Sequence, residues 1–239
     1  MSAPDDEQRR VAQGQLEPSI YVPARMASIH ITRLLLTTPV TSNSVTLAWG
    51  VVLLIASGLL ATGNPTPVLW ASALIALAYV LDCVDGELAR LRQNCSNVGS
   101  TLEQIVHWTT NLAVLAGAAV GVYYKTGDAG YLVLGLVVII GDATFHFMYV
   151  SLRVAALPGG SYGLLPVVTR WQFYLMPINT NLVMLFGLVD RIEIALWIWA
   201  VWSHLAWIVG FSLYFFSALR IEKAHKALHE ALVSLSEQK

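Results

Sequence analysis

Apolar residues in this chain gather into six long runs, near Val45–Thr62, Val68–Val84, Leu102–Tyr124, Tyr131–Leu152, Phe173–Val189 and Ile192–Phe216, separated by shorter polar segments. A helix of roughly 20 apolar residues crosses about 30 Å of hydrocarbon, and in lipid the backbone must satisfy its own N–H and C=O groups. The pattern therefore predicts an all-α fold: an integral membrane bundle of six transmembrane helices. The second and fifth runs are the shortest and lean on polar neighbours.

The flanks carry a different pattern. Residues 1–18 include Asp5, Asp6, Glu7, Arg9 and Arg10 with no apolar core behind them, which excludes a signal peptide and predicts a disordered tail. From 19 to 38, Ile20, Val22, Met26, Ile29, Leu34 and Leu35 intermix with Arg25, His30 and Arg33, as in an amphipathic juxtamembrane helix lying among lipid headgroups. Pro39 ends that helix. One domain is expected over 39–219, and residues 220–239, where charges alternate with Ala and Leu, predict a polar C-terminal helix. No internal repeat and no second domain are evident.

Basic residues set the expected sidedness, because Lys and Arg beside a span resist translocation. With the N-terminus cytoplasmic, that side holds Arg9, Arg10, Arg25, Arg33, Arg90, Arg92, Arg153, Arg170, Arg220, Lys223, Lys226 and Lys239, and the other side only Lys125 and Arg191. Both termini are then cytoplasmic, in a membrane of the bacterial inner-membrane type.

Composition agrees with the spans. The chain is 56% hydrophobic and only 12% charged, with a mean hydropathy of +0.62, outside the range of soluble domains. A net charge of −1 without any basic stripe excludes nucleic acid as a partner. Cys83 and Cys95 form no CxxC pair, which argues against a disulfide framework or a zinc site.

Candidate chemistry concentrates at one place. Asp82, Asp85, Gly86, Ala89 and Arg90 end the second run, and Gly99, Glu103, His107 and Asn111 open the third at intervals of four. Residues three or four apart share a helix face, so a turn over about Leu91–Val98 lets two stripes face each other. Three carboxylates converging from two helices repel unless protonated or bound to a cation, and hard oxygen ligands suit Mg²⁺ or Mn²⁺. Gly86 and Ala89 leave room for a flat ring or sugar, and the forked Arg90 guanidinium suits a phosphate. Any one of these acids could be an ordinary solvated helix end. As a set, with Glu103 and His107 inside a span, they point to function, since ionisable groups there are costly.

Other polar groups lie deeper. Asp142 and His146 sit four apart in the fourth run, Asn179, Thr180 and Asn181 open the fifth, and His204 is mid-span in the sixth. They either line an acceptor cavity or stabilise packing by hydrogen bonds between helices. Trp197, Trp199, Trp202 and Trp207 are expected at lipid-facing or interfacial surface.

The cluster resembles the signature of the CDP-alcohol phosphotransferases, also called CDP-alcohol phosphatidyltransferases, D-x2-D-G-x2-A-R-x8-G-x3-D-x3-D. Every spacing is kept, and Glu103 and His107 replace the last two aspartates. Pro39, Asn43 and Thr46 resemble the family's Pro-Asn-x-x-Thr region with an insertion. Tyr149–Arg153 and Arg170 resemble its arginine-bearing segment after the fourth helix.

What the resemblance implies is transfer of a substituted phosphoryl group from a CDP-alcohol, most simply CDP-diacylglycerol, to an acceptor alcohol, with release of CMP, in polar-lipid synthesis. Carried over by position, Asp82, Asp85 and Glu103 hold one or two Mg²⁺ or Mn²⁺ ions, and His107 takes the base position beside Glu103. Asp82, Gly86, Ala89, Arg90 and Gly99, with Asn43 and Thr46, contact the nucleotide. Arg153 and Arg170 flank the cytoplasmic mouth and either hold a phosphate of acceptor or donor or serve only to set topology. His107 as base, as metal ligand or as substrate-positioning group stay open. Membrane lipid and a second copy of the chain, as a homodimer, are the implied partners. A small cation transporter is the alternative of another class, although the acids crowd one end instead of spreading across the bilayer. A catalytically weakened family member is the alternative within the class.

Overall fold

The computed structural model describes residues 22–155 and 178–237. Among them are seven helices and no strand: α1 (Val22–Leu36), α2 (Ser42–Leu60), α3 (Pro65–Leu91), α4 (Asn97–Thr126), α5 (Gly130–Ala155), α6 (Ile178–Leu188) and α7 (Ile192–Glu237). The sequence places the breaks between them. Thr41 caps α2 by accepting the Ser44 N–H, Pro65 supplies the preset first-turn φ of α3, and Gly127, at φ 73°, closes α4.

Five of the described helical segments are long and apolar enough to cross a membrane: Ser42–Leu60, Pro65–Leu91, Asn97–Thr126, Gly130–Met148 and Ile192–Leu213. Leu47, Val51, Leu54, Ile55, Leu69 and Trp70 lie exposed along the first two, an outer surface that only hydrocarbon satisfies. The chain is an integral membrane protein. Of the six expected spans, Phe173–Val189 is represented by the 11-residue α6, and its first residues lie outside the described residues, as does the expected tail 1–18. The sixth span and the expected C-terminal helix form one uninterrupted 46-residue helix.

The chain forms two compact units, Met1–Ile139 with Pro177–Trp199, and Ile140–Met176 with Ala200–Lys239. In the first, α2 packs against both α3 and α4. Its inner stripe, Trp49, Leu53, Ala56 and Leu60, is buried, and Gly117 and Gly121 of α4 lie so close to the backbone carbonyls of Ser57 and Leu60 that a Cβ would collide. Small residues allow such approach where lipid offers no hydrophobic drive between helices. At the far end of α4, Lys125 pairs with Asp190 at 2.9 Å and donates to its carbonyl at 2.6 Å.

α1 turns one polar stripe inward and leaves His30 exposed. Arg25, Ser28 and Thr32 are buried and all donate to Glu87 of α3, while Met26 and Leu34 are exposed. Arg25 reads in the sequence as a residue facing headgroups; its guanidinium instead pairs with the buried Glu87 carboxylate at 3.1 Å. Arg92, just past α3, donates to the carbonyls of Val40, Leu35 and Thr38, the last two at 2.8 and 2.7 Å, and so closes the C-terminal end of α1. Arg92→Ala should lower stability by about 1.5–3 kcal/mol, the usual worth of hydrogen bonds to a charged group. A thermal melt of the detergent-solubilised protein checks this, and an unchanged Tm would contradict it.

In the second unit, Asp142, His146 and Ser203 are buried. The His146 ring lies 3.0 Å from the Asp142 carbonyl and 3.2 Å from its carboxylate, and Trp207 Nε1 donates to His204 Nδ1 at 3.1 Å. These contacts run within α5 and within α7. Trp199, expected to face lipid, is buried, while Trp197 and Trp202 are exposed.

Candidate active site

The site is built where α3 ends and α4 begins. Arg92 follows the last turn of α3, Gln93 takes a left-handed φ of 53°, and Ser96 opens α4 by accepting the Gly99 N–H at 3.0 Å. This tight reversal sets the Asp82–Asp85–Ala89 stripe toward the Glu103–His107 stripe. α2 supplies the third wall, with Asn43, Thr46 and Trp49 on its first two turns.

Asp82 Oδ1 and His107 Nε2 are 2.8 Å apart. A carboxylate only accepts, so the imidazole donates its Nε2–H, and in the neutral ring Nδ1 is then the acceptor nitrogen. Asp82, Glu103 and His107, all half-buried, can each offer a ligand atom, and these atoms lie within 4.8 Å of one another. Two carboxylate oxygens and an imidazole nitrogen at that spacing fit a single Mg²⁺ or Mn²⁺, Mn²⁺ being the more tolerant of nitrogen.

Asp85 lies outside that three-ligand group. It is almost fully buried, and its Oδ2 accepts from Thr46 Oγ1 at 2.6 Å and Trp49 Nε1 at 2.9 Å. The Trp49 ring also stands 4.6 Å from the His107 ring, tilted by 48°. One buried indole thus fixes both a carboxylate of α3 and the imidazole of α4. The Thr46 hydroxyl, expected at the nucleotide, is used on Asp85.

The remaining expected residues fall around this centre. The Arg90 guanidinium folds back over Gly86, where a Cβ would come within 3.2 Å of Nη1. Ala89 is half-buried one turn beyond Asp85. A Cβ on Gly99 would meet Asn43 Oδ1 at 3.2 Å, so the first turns of α2 and α4 touch at the mouth. Arg153 stands in the last turn of α5, and Arg170 lies outside the described residues.

Sequence reasoning missed Trp49 and Glu87. The signal for Trp49 was its place three residues after Thr46, on the same stripe of α2; the signal for Glu87 was a third acid inside the Asp82–Arg90 window.

Known proteins share the family signature and the fold. The profile of the CDP-alcohol phosphatidyltransferase family matches residues 39–212. No curated protein sequence matches the chain. Among solved structures it is similar to the phosphatidylinositol phosphate synthase of Mycobacterium tuberculosis with CDP-DAG bound, at 16% identity and a TM-score of 0.65, covering 79% of this chain and 93% of that one. The same synthase in complex with manganese and citrate gives 16% identity and a TM-score of 0.63, over 79% and 88% of the two chains. Its apo form gives 16% and 0.58, over 77% and 94%. At that identity the likeness establishes a shared fold. With the signature spacing kept and the family profile spanning most of its length, this chain belongs to the CDP-alcohol phosphatidyltransferase family, enzymes of phospholipid synthesis.

Proposed function

We propose that this enzyme transfers a phosphatidyl group from CDP-diacylglycerol to a small polar alcohol, at the cytoplasmic face of the membrane and with Mg²⁺ or Mn²⁺. The observation that carries the reading is the convergence of Asp82, Glu103 and His107 within 4.8 Å at the facing ends of α3 and α4. The CDP-DAG bound to the similar synthase supports the donor, and twelve basic residues against two support the sidedness. A homodimer in the bilayer belongs to the same reading.

The acceptor oxygen attacks the phosphorus distal to cytidine, a new P–O bond forms, and the bond to the bridging oxygen breaks so that CMP leaves. A divalent ion, when bound, would supply charge stabilisation to the diphosphate. Asp82 and Glu103 would hold that ion, and Asp85, fixed by Thr46 and Trp49, would add the third carboxylate. Asp82 also fixes the His107 tautomer, leaving Nδ1 to take the acceptor's proton, the arrangement by which a carboxylate orients a histidine base. Gly86, Ala89, Arg90 and Gly99, with Asn43 across the mouth, bound the space for the nucleotide. Arg153 and Arg170 belong to the phosphate-holding set. A second reading makes His107 a metal ligand, which its place in the three-ligand group favours. His107→Ala would then raise the Mn²⁺ requirement more than it lowers the saturated rate.

Purified protein in nanodiscs, given CDP-diacylglycerol, Mn²⁺ and a panel of polar alcohols, should release CMP with at least one acceptor and stop on chelation. Mn²⁺ binding without CMP release from any acceptor would leave a weakened family member, and Mn²⁺ uptake into proteoliposomes would favour the transporter.

A further inference from the structure

Glu87 is the carboxylate that the metal chemistry leaves over. At 3.6 residues per turn it stands about 140° around α3 from Asp82, away from the site. It is fully buried, and three donors of one α1 stripe converge on it: Arg25 Nη1 at 3.1 Å and Ser28 Oγ at 2.6 Å on Oε1, and Thr32 Oγ1 at 2.7 Å on Oε2. Around this contact, Val84 and Leu88 of α3 pack with Ile31, Leu35 and Leu36 of α1, and Arg92 holds the carbonyls of Leu35 and Thr38.

Apolar packing already joins α1 to α3. A buried ion pair adds little to that, since apolar residues of similar volume commonly replace one without loss of stability. Directional bonds add register. Apolar side chains tolerate sliding and rolling, whereas a carboxylate with three fixed donors has one place to sit. A slip of one residue would turn α3 by about 100° and shift it by about 1.5 Å. Asp82 and Asp85 stand five and two residues before Glu87 on the same rigid helix, so the setting of Glu87 is also theirs.

We propose that Glu87 is a positioning residue: gripped by Arg25, Ser28 and Thr32 of α1, it sets the rotation of α3 that brings Asp82 and Asp85 to face Glu103 and His107. The inference rests on the metal-dependent transferase reading. It assigns α1 a role in assembling the metal centre that its outer surface alone would not give it.

Two variants test it, each read by Mn²⁺ titration of the monodisperse protein, with electron paramagnetic resonance counting free Mn²⁺, so that no turnover is needed. Arg25→Met/Glu87→Met removes both charges at nearly constant volume, and Ser28→Ala/Thr32→Val leaves the charges but removes two of the three bonds. The first should keep a Tm near that of the unaltered protein while binding Mn²⁺ about tenfold more weakly; the second should bind about threefold more weakly. Displacements of an ångström cost up to about 100-fold in precisely organised sites. In both, kcat should fall while KM for the acceptor holds, a split that general loss of folded protein does not produce. Unaltered Mn²⁺ affinity in the first variant overturns the proposal. If that variant does not fold, unaltered affinity in the second overturns it. Failure of the transferase reading itself looks different: the unaltered protein would bind Mn²⁺ and release no CMP.

Discussion

Asp82→Ala is expected to lower CMP release by about 10⁴-fold at saturating Mn²⁺, the largest effect of any single substitution in this chain. Asp82 serves two groups at once: it is one of the three convergent ligands, and its Oδ1 holds His107 Nε2 at 2.8 Å. A general base contributes about 10²–10⁴ in rate, and metal stabilisation of a leaving group several kcal/mol, with each 1.36 kcal/mol worth tenfold. Groups that act as a unit are not additive, so the stronger of the two effects sets the scale. Asp82→Asn should fall between, because its amide oxygen still accepts from His107 but ligates a cation weakly. Initial rates in nanodiscs, normalised to folded protein, decide the matter. A residual rate above about a hundredth of the unaltered one would remove Asp82 from the centre, since loss of the weaker of its two roles already costs that much.

Asp85→Ala is expected to cost more activity than His107→Ala. The imidazole supplies proton transfer worth about 10²–10⁴ in rate, whereas Asp85 contributes charge to the diphosphate site and also anchors α2. Its loss strands the Trp49 N–H in a buried wall, at about 1–3 kcal/mol for an unsatisfied group, and leaves the Thr46 hydroxyl only its longer bond to the Ser42 carbonyl at 3.1 Å. Trp49 is also the ring against His107, so the damage spreads to the base. Asp85→Asn separates the two contributions. An amide oxygen still accepts from Thr46 and Trp49, so the Tm should return toward that of the unaltered protein while the rate stays low. Equal rates for Asp85→Ala and His107→Ala would contradict the ordering, and recovery of both Tm and rate in Asp85→Asn would reduce Asp85 to a packing role.

The parts of this fold that depend on local composition were legible in the sequence. Spans follow from apolar runs because lipid forces helices, and the Asp82–His107 pair follows from spacing because i+3 and i+4 positions share a face across a short turn. Contacts set by a distant partner were not. Arg25, Ser28 and Thr32 read as a headgroup-lying stretch, since nothing local reveals that an acid some sixty residues later will be buried against them. Trp49 in an apolar run reads as a lipid-facing aromatic until Asp85 is seen to accept its N–H. The same limit placed Trp199 on the surface, although it is buried.

The ion pair between α1 and α3 also bears on biosynthesis. Arg25 leaves the ribosome 62 residues ahead of Glu87, with no buried acid yet made to receive it. Burying a lone guanidinium is prohibitive, so the nascent α1 has to wait at the aqueous boundary, its arginine hydrated, until the second span has been inserted. Only then can it roll its polar stripe inward, so closure of the amino-terminal segment waits for the second span, and the metal centre waits further for α4, which brings Glu103 and His107.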